Sequence, residues 1–134
     1  MAAIQNEYSL LCRHMDTDLS EAMVNEDVTL LSFSPLAAGL LTGKYQNGAI
    51  PMASRMELNG DLGGRKTDRV FAAPQASFAI AAKHDMSPIH IAIAWQATRP
   101  LTVRAIFVAT TAAHLAQSFA SLLLRVPHTP PTDH

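Results

Sequence analysis

The chain is poor in cysteine, in aromatic residues and in charge. Cys12 stands alone among 134 residues, so no disulfide can form within the chain, and a reducing, cytoplasmic compartment is the expected setting. Charged residues make up 16% of the sequence and nearly cancel to a net charge of −1, which leaves no basic field to attract nucleic acid or an anionic membrane. His84, His90, His128 and His134 show no metal-ligand spacing with cysteine or carboxylates, so no metal site is expected. Residues 1–7 have neither a basic segment nor a long apolar core, so no secretory signal is expected either. Internal repeats are absent.

Long hydrophobic runs are missing too, with one candidate. Residues 105–124 carry no formal charge between Arg104 and Arg125 and have roughly bilayer-spanning length. Within that run lie Thr110, Thr111, His114, Gln117, Ser118 and Ser121, polar groups that are costly in hydrocarbon. The pattern also changes at the threonine pair. Before it the chain reads as a short buried strand; after it Ala112, Leu115, Ala116, Phe119, Leu122 and Leu123 recur at helical spacing. A strand followed by an amphipathic helix is predicted, not a membrane span.

Apolar residues make up 49% of the chain, enough for one domain with a buried core. Residues 4–8 read as a strand, and Asp18 is predicted to cap a helix with Glu21 at its third position. Residues 29–34 form a second, buried-type strand. Residues 46–68 carry Asn47-Gly48, Asn59-Gly60 and Gly63-Gly64, and read as a turn-rich loop of a length that is usually functional. Helices are predicted over residues 70–84 and 88–97, the second with Ser87 at its N-cap and Pro88 at its first position. That second helix is apolar nearly all round, which predicts burial, with Trp95 in the core. Residues 106–109 read as the third strand, and Thr111 as the cap of the last helix. Strands alternating with helices imply an α/β fold with parallel strands joined by right-handed crossovers. After Arg125 no core-forming pattern remains, and residues 126–134 are expected to form a disordered tail.

The most informative stretch is Phe33-Ser34-Pro35-Leu36-Ala37-Ala38-Gly39-Leu40-Leu41-Thr42-Gly43-Lys44-Tyr45, where an apolar strand runs into a turn-rich loop. Pro35 fixes φ, Gly39 and Gly43 allow backbone N–H groups to approach an anion, and Lys44 adds a point charge. This run resembles the loop after the seventh strand of the aldo-keto reductases, roughly W/Y/F-S-P-L-A-x-G-x-L-x-G-K-Y. Ile4-Gln5-Asn6-Glu7-Tyr8-Ser9 resembles the family's sixth strand, and Ala105-Ile106-Phe107-Val108-Ala109-Thr110-Thr111 its eighth. Ser87-Pro88-Ile89-His90-Ile91-Ala92-Ile93-Ala94-Trp95 is similar to the intervening S-P-x-Q-L-A-L-A-W helix, and Arg99-Pro100 to the R-P after it. The resemblance covers about residues 2–124 and is nearest to bacterial members related to potassium-channel β-subunits. It implies a partial (β/α)8 TIM barrel. Residues 1–125 would be its C-terminal segment, the last three strand–helix units, because a whole barrel takes about 250 residues.

The same resemblance implies NADP(H)-dependent carbonyl reduction and a set of cofactor-binding residues. Gln5 matches the glutamine that bonds the nicotinamide carboxamide, and Phe33 the aromatic that stacks on the nicotinamide ring. Ser34, Pro35, Leu36, Ala37, Gly39 and Lys44 match the pyrophosphate loop, while Ser54 and Arg55 match a pair near the adenosine 2′-phosphate. Thr110, His114, Gln117 and Ser118 fall at the adenine end, where the chain departs most from the family. There Val108 replaces a glycine and adds bulk where the strand end meets the ligand, His114 replaces a glutamine, Gln117 an acidic residue and Ser118 an asparagine. The family's catalytic tyrosine, lysine, aspartate and histidine lie on earlier strands. No tyrosine, lysine or histidine here stands in their motif context, so no catalytic residue is nominated. The expectation is a truncated oxidoreductase segment with part of an NADP(H) site, inactive alone. Two alternatives stand beside it. One is a noncatalytic interaction module that docks through open strand edges onto a complementary N-terminal barrel half or onto itself; the other is a decayed gene product.

Overall fold

The computed structural model describes residues 2–60, 62, 67–109 and 111–123; the expected tail at 126–134 lies outside them. Strands β1 (Ala3–Glu7), β2 (Thr29–Phe33) and β3 (Val103–Ala105) form one parallel sheet in the order β1-β2-β3. Gln5 pairs with Leu31, and Leu31 with Arg104. Helix α1 (Asp18–Asn25) returns the chain from β1 to β2. Between β2 and β3 come α2 (Arg55–Asn59), α3 (Asp68–Ala72), α4 (Gln75–Lys83) and α5 (Pro88–Ala97), and α6 (Ala112–Leu122) follows β3. The α/β class and the parallel pairing are those the sequence predicts.

Alternation along β2 separates two unlike faces. Leu30 and Ser32 are fully buried on the helix side, where Leu30 joins Tyr8, Met15, Met23 and Leu101 in one core packed against Trp95. Phe33 points to the other face and is 41% exposed. A second core gathers Leu40, Leu41, Tyr45, Met56, Leu62 and Ala92. Helix α5 serves both cores, through Trp95 and Ala92, which is why it has no polar face and buries Ala92, Ile93, Ala94 and Gln96.

Gln96 ties these layers together. Its Oε1 accepts from the Ser32 hydroxyl at 2.7 Å, and its Nε2 donates to the Tyr8 carbonyl at 2.8 Å, both bonds buried. Beside it the Trp95 ring lies 5.1 Å from the Tyr8 ring, with the guanidiniums of Arg13 and Arg99 at 5.4 and 5.0 Å. The Tyr8 hydroxyl donates to Asp16, and Arg13 Nε holds the other oxygen of that carboxylate at 2.6 Å. Trp95 is therefore a half-buried platform between two cations rather than a simple core residue.

Several boundaries differ from expectation for identifiable reasons. The third strand is Val103–Ala105 instead of 106–109. Its pairing begins with Leu30 N–H to Thr102 O at 2.8 Å and ends with Ile106 N–H to Ser32 O at 2.8 Å, because β2 leaves the sheet at Ser34, whose φ is 54°. The helix expected over 70–84 is two helices, Asp68–Ala72 and Gln75–Lys83, split at Pro74, which has no N–H to continue the ladder. Thr17, not Asp18, precedes the first helical residue, and its hydroxyl donates to His14 O at 2.9 Å instead of capping. The loop over 46–68 contains α2, capped by Ser54. Ser87 and Thr111 cap α5 and α6 as predicted, accepting from Ile89 N–H and His114 N–H.

The sheet is open. Among the described residues the outer edges of β1 and β3 have no strand partner. Helix α6 packs on α5 with Ser118 and Ser121 buried, while Leu115, Phe119 and Leu123 are 42%, 55% and 85% exposed. No helix among the described residues is long and apolar enough to cross a membrane, and none of their His, Cys, Asp or Glu side chains form a group of three placed to hold a metal.

Two expected outcomes follow from the Gln96 and Tyr8 contacts. Gln96→Leu removes the partners of the Ser32 hydroxyl and the Tyr8 carbonyl, and should cost about 2–6 kcal/mol in denaturant unfolding, at about 1–3 kcal/mol per orphaned group. Burial, and then the bond to Asp16, push the Tyr8 phenol above its ordinary range. The unfolded chain loses that proton near pH ~10 while the native state keeps it, so stability is full below that pH and falls as pH rises past it. Urea midpoints measured across that range should fall less steeply for Tyr8→Phe than for the parent.

Candidate functional site

Parallel strands end on one side, and here their carboxyl ends open onto a single cleft of about 1040 Å3. Glu7 ends β1, Phe33 ends β2, and Ile106, Phe107 and Val108 follow β3; all five line it. The opposite wall is built by the loop after β2, by α2 and by the first turns of α6. Ligand sites at the carboxyl ends of parallel strands follow from this topology.

The loop after β2 is wound tightly. Ser34, Ala37 and Ala38 adopt φ of 54°, 49° and 57°, and Gly39 and Gly43 adopt 92° and 82°. Three non-glycine residues in the left-handed region store strain of order 1–3 kcal/mol each, held by the packing around them. Pro35, Ala37, Leu40 and Leu41 are buried and supply that packing. Ala37 N–H bonds Ser34 O at 2.8 Å, and Gly39 and Leu41 N–H both bond Leu36 O, at 2.9 and 3.2 Å. The Gly39 N–H is thus turned inward, to Leu36, and not toward the cleft as an anion donor.

Helix α2 places its first residue on the other side. Ser54 Oγ accepts from Glu57 N–H at 3.2 Å and the Glu57 carboxylate reaches back to Ala53 N–H, a variant of the capping box displaced by one residue. Ser54 is 5% exposed and spends its hydroxyl on this cap, whereas the adjacent Arg55 is exposed and lines the cleft.

Of the residues nominated from sequence, the cleft gathers Phe33, Ser34, Pro35, Leu36, Gly39, Lys44, Arg55, His114, Gln117 and Ser118. Gln5, Ala37 and Ser54 are not among its lining, although Gln5 shares the open face of the sheet with Phe33. Thr110 lies outside the described residues. Ser118 is 6% exposed, and its hydroxyl donates to His114 O at 2.9 Å. Val108 stands 91% exposed on the wall, the bulk expected there. Asn59, Ser87 and Phe107 also line the cleft and were missed. The pattern Ser54-Arg55-Met56-Glu57 was a legible signal for the helix that carries Asn59.

The sequence profile of the Aldo/keto reductase family matches residues 1–129. The chain belongs to that family. It is 35% identical over 126 residues to Protein tas of Escherichia coli (strain K12), covering 94% of this chain and 36% of that protein. It is 33% identical over 122 residues to a probable voltage-gated potassium channel subunit beta of Arabidopsis thaliana, covering 88% of this chain and 37% of that one. A 58-residue stretch, 42% of this chain, is 48% identical to L-glyceraldehyde 3-phosphate reductase of E. coli, 16% of whose length it covers. The chain thus spans about a third of the length of the relatives it matches over most of its residues. As an aldo/keto reductase segment, its open three-strand sheet is consistent with part of the family's barrel.

The residues present suit a nicotinamide dinucleotide chemically. Two cations, Lys44 and Arg55, line one cleft with the imidazole of His114 and the amide of Gln117, while Phe33 offers a half-exposed ring at the strand ends. Such a set favours an elongated ligand with phosphates along one side and a flat ring at one end.

Proposed function

We propose that the cleft is the phosphate-binding wall of an NADP(H) site, in an oxidoreductase segment of the carbonyl-reducing kind. The observation that carries this is the convergence of Lys44 and Arg55, from a loop and from a separate helix, on the cleft that Phe33, His114 and Gln117 also line. In this assignment Lys44 holds the pyrophosphate as a point charge, and Arg55 takes the 2′-phosphate with its planar fork of donors. Phe33 provides a stacking face for the nicotinamide, and Gln5, on the same face of β2's neighbour, an amide for its carboxamide. A bound NADPH would supply hydride; the chain's residues orient it.

We further propose that the segment does not catalyse by itself. A proton donor must reach the carbonyl oxygen. The Tyr8 phenol is buried and bonded to Asp16, and Tyr45, 4% exposed, accepts from Met56 N–H at 3.4 Å. Neither tyrosine lines the cleft.

Calorimetric titration with NADP and NAD tests the first statement, and an NADPH oxidation assay with carbonyls the second. NADP should bind more tightly than NAD, and Arg55→Ala should weaken NADP by about 10-fold, as for loss of one charge-assisted contact, with NAD changed less than about 2-fold. Equal loss for both nucleotides would remove Arg55 from the 2′-phosphate. Saturable NADPH oxidation by the chain with aldehydes or ketones would overturn the noncatalytic assignment.

The unpaired edges and the exposed stripe of α6 favour a second role beside nucleotide binding, docking onto another polypeptide. Exposed parallel-strand edges and apolar patches are ordinarily covered. The chain alone should scatter light as concentration-dependent assemblies, and co-expression with the first two thirds of a family relative should suppress this. A monodisperse monomer indifferent to that partner would sink this role.

A further inference from the structure

We infer that Gly39 is a positioning residue for Lys44, acting through an empty slot and not through its N–H. A β-carbon at Gly39 would lie 2.6 Å from Lys44 Cε and 2.9 Å from Nζ, so the lysine side chain runs across the bare α-carbon. The same hypothetical atom meets the Tyr45 ring at 3.5 Å, and the Lys44 ammonium stands 5.1 Å from that ring's centre. Tyr45 is a fixed floor, 4% exposed and tied to Met56 through its hydroxyl. Thr42 closes the reversal between the two residues: its hydroxyl donates to Gly39 O at 2.7 Å and accepts from Lys44 N–H at 3.3 Å. The Gly39 N–H is committed to Leu36 O at 2.9 Å. What glycine contributes to the cleft is therefore the absence of a side chain, at a φ of 92° that L residues rarely adopt.

The physical consequence is selective. The atoms a β-carbon would strike are the far end of a flexible side chain, so a residue at 39 displaces the ammonium, in addition to the backbone strain that any side chain meets at this φ. Lys44 is exposed, with its ammonium over the Tyr45 ring, and a side chain so placed loses less rotamer freedom on holding a phosphate. This inference rests on reading the cleft as an anion site.

The test is a double-mutant cycle on the 134-residue chain, with NADP as probe. Gly39→Asn fills the slot with a residue that tolerates positive φ, and Gly39→Ala fills it minimally. Lys44→Ala is expected to weaken NADP about tenfold and Gly39→Asn about fivefold, with Gly39→Asn/Lys44→Ala within about twofold of Lys44→Ala alone. Additive losses, or parent-like binding by Gly39→Asn, would overturn the positioning role. Unchanged affinity in Lys44→Ala would instead overturn the anion site. A ligand-free measurement separates the two: after reductive methylation with 13C-formaldehyde, the Lys44 methyl signal should be shifted upfield by the Tyr45 ring and return to the position of exposed lysines in Gly39→Asn. A parent Lys44 signal already at that position would refute the slot, whether or not NADP binds.

Discussion

One buried amide holds this sheet to its helix layer. The strands are short, five, five and three residues, so the ladder alone supplies few bonds between them. Gln96 joins β2 through Ser32 and the end of β1 through Tyr8, across sequence separations of 64 and 88 residues. Buried from water, these bonds cannot be exchanged for hydration without opening the helix from the sheet. A buried glutamine in a largely apolar helix is unfavourable unless both of its ends are satisfied, and here both are.

From that clamp the two cores follow. Trp95, one residue before Gln96, is drawn over Tyr8 and held there by Arg13 and Arg99, while Ala92, one turn earlier, is pressed against Leu40, Leu41 and Tyr45. The second core anchors the strained loop over 34–43. The cleft's unusual backbone angles are therefore supported from behind by the core that α5 joins, together with the loop's own hydrogen bonds at Ser34 and Thr42.

Elements with a strong local signal were legible in the sequence. Ser87-Pro88 marked the start of α5 to the residue, and the apolar run into Phe33-Ser34-Pro35 marked both β2 and the loop that follows it. What escaped was decided by distant partners. No local pattern says that β3 must stop where β2 turns away at Ser34, or that the Thr17 hydroxyl prefers His14 O to a capping role. Within the site the residue types were readable but their division of labour was not. Ser54 and Arg55 are neighbours in sequence, yet one is spent on a helix cap and the other faces the cleft. Gly39, expected to let backbone N–H groups approach an anion, lets the Lys44 side chain cross its bare α-carbon.

Parallel topology distributes ligand contacts and proton transfer differently among strand–loop units. All strand ends point the same way, so three consecutive strand–loop units keep a contiguous piece of the wall, complete with its own loop, cations and supporting helix. Contacts spread along an elongated ligand can each be local to one such unit. Proton transfer does not divide in that way, since donor, tuning charge and carbonyl must meet within hydrogen-bond distance and are contributed by the ends of several different strands. Both tyrosines of this chain lie in its cores instead, the Tyr8 hydroxyl donating to Asp16 and the Tyr45 hydroxyl accepting from Met56 N–H.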